Sequence, residues 1–403
     1  MKEHNVAILG FGVVGGGVAK LLCDNREQIE NYTGQSVKIL HILDIRDFEG
    51  SPFADLITKD FGRIVADERV DTVFEVMGGS HPAYEYTVAA LKAKKNVITS
   101  NKEVVANFGD EFVALAKENG VSYRFEAAVG GGIPLISPMI NCLRQNKLTE
   151  IRGILNGTTN YILTKMFDYG ESFADALADA KAKGYAESNP AADVLGTDAA
   201  RKITILTALG TGKLLKVDAL PVEGITGIRA EDVVAAEQMG CKIKLLGRCI
   251  ATEGEPYVMV APFIIPASSP LGGVSGVYNA VEFIGEPLGN VMFYGPGAGA
   301  GATASAVVGD LIPLIAGDGG AALMPELCPT DYSAKEAFAS FKSRHYVALK
   351  ECCREKVEEL FGGCTLCGGS DPIAFVTAEM SEAEFDTAIA PFKELLLSHI
   401  RLI

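Results

Sequence analysis

Between Gly184 and Lys202 the chain sets three carboxylates, Glu187, Asp193 and Asp198, around an Asn189-Pro190 turn and ends on Arg201-Lys202. Thr197 is placed to cap a helix through its hydroxyl, with Asp198 in the first turn beside the positive end of the backbone dipole. Helical spacing then puts Asp198 and Lys202 on one face, four residues apart. Carboxylates feeding a helix that carries an ammonium suit a small zwitterionic substrate. The competing reading is a solvated acidic turn with an ordinary surface ion pair, which has little energetic weight.

A second group could hold phosphate. Gly10-Phe11-Gly12-Val13-Val14-Gly15 follows the apolar run Val6–Leu9 and precedes the apolar stretch Val18–Leu22. A strand, a glycine turn and a helix in that order make a dinucleotide loop. The first glycine makes the turn, the second admits the pyrophosphate and the third brings helix against strand. Amides and dipole at the helix start then bind the anion. The next strand ends Leu43-Asp44-Ile45-Arg46-Asp47. An acid there takes the ribose 2′-hydroxyl of NAD, whereas Arg46 would pair with the 2′-phosphate of NADP. Both types are present; the balance leans to NADP.

Carbonyl reduction needs a hydride and a proton for the emerging alkoxide. Many dehydrogenases use histidine, but of the five histidines none lies between His81 and His345. Lysine is the substitute where burial or a neighbouring cation makes its proton easier to give. Lys102 and Lys202 would do this to each other if both reach one cleft; Tyr185 is a weaker candidate. Thr99, Ser100 and Lys102 stand just beyond the run Asn96–Thr99. Open parallel sheets bind ligands past the carboxyl ends of their strands, so these residues are placed to face cofactor and substrate. Glu126 precedes the glycine turn Val129-Gly130-Gly131-Gly132-Ile133-Pro134. Carboxylate and carbonyl oxygens there suit a hard cation, and a purely structural turn fits the spacing equally. Leu155-Asn156-Gly157-Thr158-Thr159-Asn160-Tyr161 reads as a turn into a capped helix.

The elements that must position these residues alternate. Strands are expected at Val6–Leu9, Val37–Ile45, Thr72–Val76 and Asn96–Thr99, with helices at Ala83–Ala93 and Glu111–Glu118. That order makes right-handed βαβ units and a Rossmann-like parallel sheet. The expected organisation is a dinucleotide-binding domain over 1–130, rejoined by about 297–316, a catalytic and dimerisation domain over 131–296, and a linker over 317–340. A βαββαβ ferredoxin-like module over 341–403 completes the α/β chain.

At 403 residues more than one core is expected. A hydrophobic content of 48% with 44 glycines fits an α/β protein, and no apolar run is long enough to cross a bilayer. With no signal peptide preceding the first strand, a cytoplasmic location is expected. A net charge of −15 argues against nucleic acid or anionic membrane as a partner. The nine cysteines are scattered, and Cys364-Thr-Leu-Cys367 is a lone C-x-x-C without nearby histidine, so free thiols are expected.

Taken together, the segments resemble homoserine dehydrogenase over residues 5–312: the glycine loop, Thr99-Ser-Asn-Lys-Glu, Glu126 to Pro134, Ile154-Leu-Asn-Gly-Thr-Thr-Asn, and Gly184 to Lys202. The resemblance implies an NAD(P)-dependent oxidoreductase acting on a CH–OH group. It would interconvert L-aspartate 4-semialdehyde and L-homoserine in threonine, methionine and isoleucine biosynthesis. It makes Lys202 the acid/base and Lys102 an assistant at cofactor and substrate. Glu187 and Asp198 would hold the substrate's ends, and Gly184 would touch the cofactor. Near Gly299 the chain would return to the nucleotide. The Glu126 side chain with the Val129, Gly131 and Ile133 carbonyls would ligate a structural sodium ion. It implies a homodimer or homotetramer. The tail resembles an ACT domain, which binds threonine as effector, but Lys350-Glu-Cys-Cys-Arg replaces the usual turn after the module's first strand. The alternatives are a dehydrogenase of another amino acid, such as aspartate, and a catalytically silent sensor.

Overall fold

The computed structural model describes residues 2–316, 324–350, 354–370 and 372–403. Of the expectations above, residues 317–323 of the linker and the Cys352-Cys353 pair lie outside them. The chain divides into two compact units. One comprises Met1–Asn146, Thr204–Lys216 and Gly295–Thr330; the other comprises Lys147–Ile203, Val217–Tyr294 and Asp331–Ile403.

The first unit is built on six strands: β1 (Lys2–Leu9), β2 (Gln35–Leu43), β3 (Ile57–Thr58), β4 (Thr72–Glu75), β5 (Asn96–Thr99) and β6 (Tyr123–Arg124). Their order is β3-β2-β1-β4-β5-β6, and every pairing is parallel. This is the doubly wound order, with its switch point between β1 and β4. Val6, Ile8, Ile42, Phe74 and Ile98 from the strands form one core with Val18 and Leu22 of helix Val13–Asp24 and Val307 and Leu311 of helix Ala300–Ala316. Register matters more than length here. Leu9 pairs with Glu75, and Glu75 with Thr99, so β1, β4 and β5 end level and their loops emerge side by side.

The second unit carries a mixed ten-stranded sheet. Its strands are β7 (Lys147–Ile154), β8 (Cys241–Ile250), β9 (Tyr257–Pro266), β10 (Tyr278–Glu286), β11 (Gly289–Pro296), β12 (Lys342–Leu349), β13 (Thr365–Ser370), β14 (Ile373–Val376) and β15 (Leu396–Leu402). The order is β11-β10-β7-β8-β9-β15-β12-β14-β13, with Met380–Ser381 pairing off this path with β12. The last four strands, with helices Arg354–Phe361 and Glu382–Ile389, follow the strand-helix-strand-strand-helix-strand sequence of the C-terminal segment. They do not stand apart: β15 lies parallel to β9, Phe263 pairing with Arg401 and Ile264 with Leu402. Residues 324–340, expected within a linker, hold Cys328–Pro329, which pairs with Lys213–Leu214, and the helical turn Ala334–Phe338. Among the described residues no helix is long and apolar enough to cross a membrane.

Candidate active site

In the first unit the glycine loop does what its spacing demands. Gly10 has φ +94°, open to glycine at little cost, and a Cβ on Gly15 would lie 1.9 Å from the Gly10 carbonyl oxygen. Helix Val13–Asp24 starts from Gly12 with no side chain capping it and no acid in its first turn, so its amides are left for an anion. Val13 is 74% exposed there. Phe11 N–H donates to Asp44 (2.8 Å), and Arg46 donates to both Asp44 oxygens at 3.0 Å. The guanidinium beside it holds the Asp44 carboxyl down at about 2. Arg46 thus stands beside the loop, its Nη2 4.0 Å from where a Gly12 Cβ would be.

The level ends of β4 and β5 add a group that the sequence reading passed over. Glu75 is fully buried, accepts the Thr99 hydroxyl (2.6 Å) and the Met77 N–H (2.9 Å), and burial pushes its carboxyl up to about 7. Thr99 passes the order on, its hydroxyl accepting the Asn101 N–H at 2.9 Å. Asn101 caps helix Lys102–Asn119. Thr99, Ser100 and Lys102 are therefore locked at the sheet's carboxyl edge. Only a lone acid at the end of an apolar strand could have signalled Glu75. Gly299, exposed at φ +118°, precedes helix Ala300–Ala316 in the same unit.

Also in this unit, Glu126 is buried and its carboxylate is heavily used. Oε1 accepts the Leu135 and Ile136 N–H groups (2.6 and 2.8 Å), and Oε2 accepts that of Ser137 (2.6 Å). Its own N–H donates to buried Asp310 at 2.8 Å. Gly131 has φ +59° and is pressed against Gly297, whose carbonyl oxygen would lie 2.4 Å from an added Cβ. Among the described residues no backbone N–H outside helices and strands donates to the Val129, Gly131 or Ile133 carbonyl oxygens. Nor does any cluster of three His, Cys, Asp or Glu side chains there make a metal site.

The second unit assembles the carboxylate and lysine group. Lys202 Nζ is 2.9 Å from Asp198 Oδ2 and 2.7 Å from the Leu155 carbonyl oxygen. Lys202 is 7% exposed and Asp198 4%, so this is a buried pair and not the solvated one that spacing alone also allowed. Asn156 completes the cluster: its amide donates to Asp193 Oδ1 (2.7 Å) and Asp198 Oδ2 (2.9 Å), and its oxygen caps helix Gly157–Tyr169 through the Thr159 N–H. The Leu155–Tyr161 turn is thus both a helix start and the clamp of the site.

One expectation is corrected. Thr197 is the first residue of helix Thr197–Thr211 and not its cap; Gly196, at φ +86°, precedes it and accepts the Ala200 N–H at 2.9 Å. The helix reaches the sheet at Gly247 of β8, where a Cβ would come within 3.0 Å of the Ile203 Cβ. Glu187 and Gly184 lie on an exposed loop, which the Thr158 hydroxyl holds by donating to the Tyr185 carbonyl oxygen at 2.6 Å. Tyr185 packs edge-on against Tyr161 at 4.9 Å, a packing role. Lys102 and Lys202 belong to different units. The cluster can do two things chemically: hold an ammonium or hydroxyl between Asp193 and Asp198, and present a proton-bearing nitrogen of fixed direction.

Comparison with known proteins carries the same sense. Residues 134–312 match the family model for homoserine dehydrogenase, and residues 10–126 the model for the homoserine dehydrogenase NAD binding domain. Homoserine dehydrogenase of Neisseria gonorrhoeae is 41% identical over 317 residues, spanning 78% of this chain and 73% of that protein. The crystal structure of a homoserine dehydrogenase from Thiobacillus denitrificans superposes with a TM-score of 0.91 at 32% identity, covering 100% of this chain and 99% of that one. A hyperthermophilic archaeal homoserine dehydrogenase mutant in complex with NADPH matches with a TM-score of 0.66 at 28% identity, over 77% of this chain and 97% of that one. An anion-ready glycine loop, a buried lysine–aspartate pair and these matches have one conclusion: the chain belongs to the homoserine dehydrogenase family, NAD(P)-dependent oxidoreductases that interconvert L-aspartate 4-semialdehyde and L-homoserine.

Proposed function

We propose that Lys202 is the proton donor and acceptor of this oxidoreduction, with Asp193 and Asp198 binding the amino-acid substrate. One observation carries the reading: a buried ammonium fixed from two sides, by Asp198 and by the Leu155 carbonyl, on the turn that also orients Asp193. When bound, the nicotinamide supplies the hydride chemistry. Lys202 Nζ gives a proton to the substrate oxygen as the carbonyl is reduced and takes it back in the alcohol's oxidation. Asp198 keeps that nitrogen charged and aimed, and Asn156 keeps Asp198 from rotating. Lys102, Glu187 and Gly184 complete the reading at the substrate and cofactor.

The preferred dinucleotide is NADP. Asp44 already has Phe11 and Arg46 as partners, whereas Arg46 is half-exposed beside the phosphate loop, suited to a 2′-phosphate. A sodium ion fits the loop after Glu126: the Val129, Gly131 and Ile133 carbonyls would hold it, and its charge would offset the buried Glu126 and Asp310 carboxylates. The protein works as a cytoplasmic homo-oligomer through the β10–β11 hairpin, where Tyr278, Met292 and Tyr294 are exposed and the two tyrosines stack at 5.1 Å. The C-terminal module is ACT-like, with an amino acid such as threonine as effector.

NADPH and NADH oxidation with L-aspartate 4-semialdehyde, in the native chain and Arg46→Ala, tests the cofactor assignment. Loss of one charged hydrogen bond should lower kcat/KM with NADPH about tenfold and leave NADH unchanged. An equal effect on both would remove Arg46 from 2′-phosphate recognition.

A further inference from the structure

We infer that Glu223 is a positioning residue for the amino-acid site, tying the C-terminal module to the loop that carries Asp193 and Asp198. The inference rests on the substrate-site reading above. Arg401 of β15 is buried and bridges two acids: Nε and Nη2 grip Glu382 at 2.7 Å, and Nη1 reaches Glu223 at 2.8 Å. Glu382 opens a helix of the C-terminal module, whereas Glu223 belongs to the segment Pro221–Ile225 on the catalytic side. That segment is held on its far side by β9: the Val260 N–H donates to the Pro221 carbonyl (3.0 Å) and the Glu223 N–H to the Val260 carbonyl (2.8 Å).

The next residues press on the substrate loop. The Ile225 N–H donates to the Val194 carbonyl at 2.9 Å. A Cβ on Gly224 would lie 2.1 Å from that same oxygen, so segment and loop are in close backbone contact. Val222 meanwhile meets Gly196, its Cγ1 3.1 Å from where a Cβ would stand. Val194 and Gly196 flank Leu195 between Asp193, on Asn156, and Asp198, on Lys202. The order Glu382–Arg401–Glu223–Val194 is thus a continuous set of polar and backbone contacts from the module to the clamp. Glu223 is its separable link: its side chain is 42% exposed, and its loss leaves the Arg401–Glu382 grip in place.

Steady-state homoserine oxidation by Glu223→Gln in the full chain is the test, with thermal melting of each protein and Asp198→Asn in the same assay. The expected result is a rise of about threefold to tenfold in the KM for homoserine. The KM for the dinucleotide and the melting temperature should stay unchanged. Gly224→Ala should move the same constant in the same direction and further. An unchanged homoserine KM in Glu223→Gln, while Asp198→Asn is impaired, overturns the coupling and leaves the site intact. Parallel rises in both KM values with a lower melting temperature also overturn it, since that is a general structural role. If Asp198→Asn itself leaves homoserine kinetics unchanged, the substrate-site reading fails and the inference falls with it.

Discussion

Asp198→Asn removes the charge that a buried ammonium depends on. At 2.9 Å, with both side chains under a tenth exposed, the attraction is about 6 kcal/mol at an effective dielectric of about 20. Much of that offsets the desolvation of the two groups. The measured cost of removing one partner from a buried pair is therefore smaller, about 3–5 kcal/mol. A cost near 3 kcal/mol corresponds to a melting shift of roughly 6–12 °C in a unit of this size. Differential scanning fluorimetry checks the shift, and turnover in semialdehyde reduction is measured beside it. The paired variant Asp198→Leu/Lys202→Met, which has no orphaned charge, should recover most of the melting temperature and none of the turnover. A single variant that melts like the native chain would refute the reasoning.

Two further predictions follow from the first unit. Gly15→Ala should abolish NADPH binding, seen as loss of fluorescence enhancement on titration, because its Cβ would sit 1.9 Å from the Gly10 carbonyl oxygen; undiminished binding would contradict the loop geometry. Glu75 has a carboxyl raised from an ordinary 4.5 to about 7 by burial. Its contribution to stability is thus complete below about pH 4.5 and lost as pH rises through about 7, a change of about 3 kcal/mol. Glu75→Gln should therefore gain on the native chain between pH 4.5 and 8 in urea unfolding, and parallel stability curves would sink the prediction.

Local patterns were legible in the sequence, and long-range clamps were not. Gly10, Gly12 and Gly15 announce the phosphate loop because backbone sterics need only neighbours in the chain. Strand and helix ends drifted by a few residues: β2 was expected to run to Ile45 and stops at Leu43, where Asp44 turns to hold Phe11 and Arg46. The pair Asp44 and Arg46 was ambiguous as sequence because either residue could take the ribose; their mutual hydrogen bonds show why both stand there. The Thr197 hydroxyl suits a helix cap. A left-handed glycine under Val222 and Val260 decided otherwise. The run Leu155–Tyr161 reads as a turn into a capped helix, and only folding brings Asn156 to Asp193 and Asp198. Glu75 and Glu223 gave no periodic signal, since their partners Thr99 and Arg401 lie far along the chain.

The proton role of Lys202 is tested most directly by Lys202→Ala with added small amines. Turnover should fall by about two to four orders of magnitude with NADPH affinity unchanged. Methylamine should restore part of it, with a pH dependence that follows the amine supplied. Turnover within a few-fold of the native chain, or a loss that no amine relieves while the fold is intact, would contradict it.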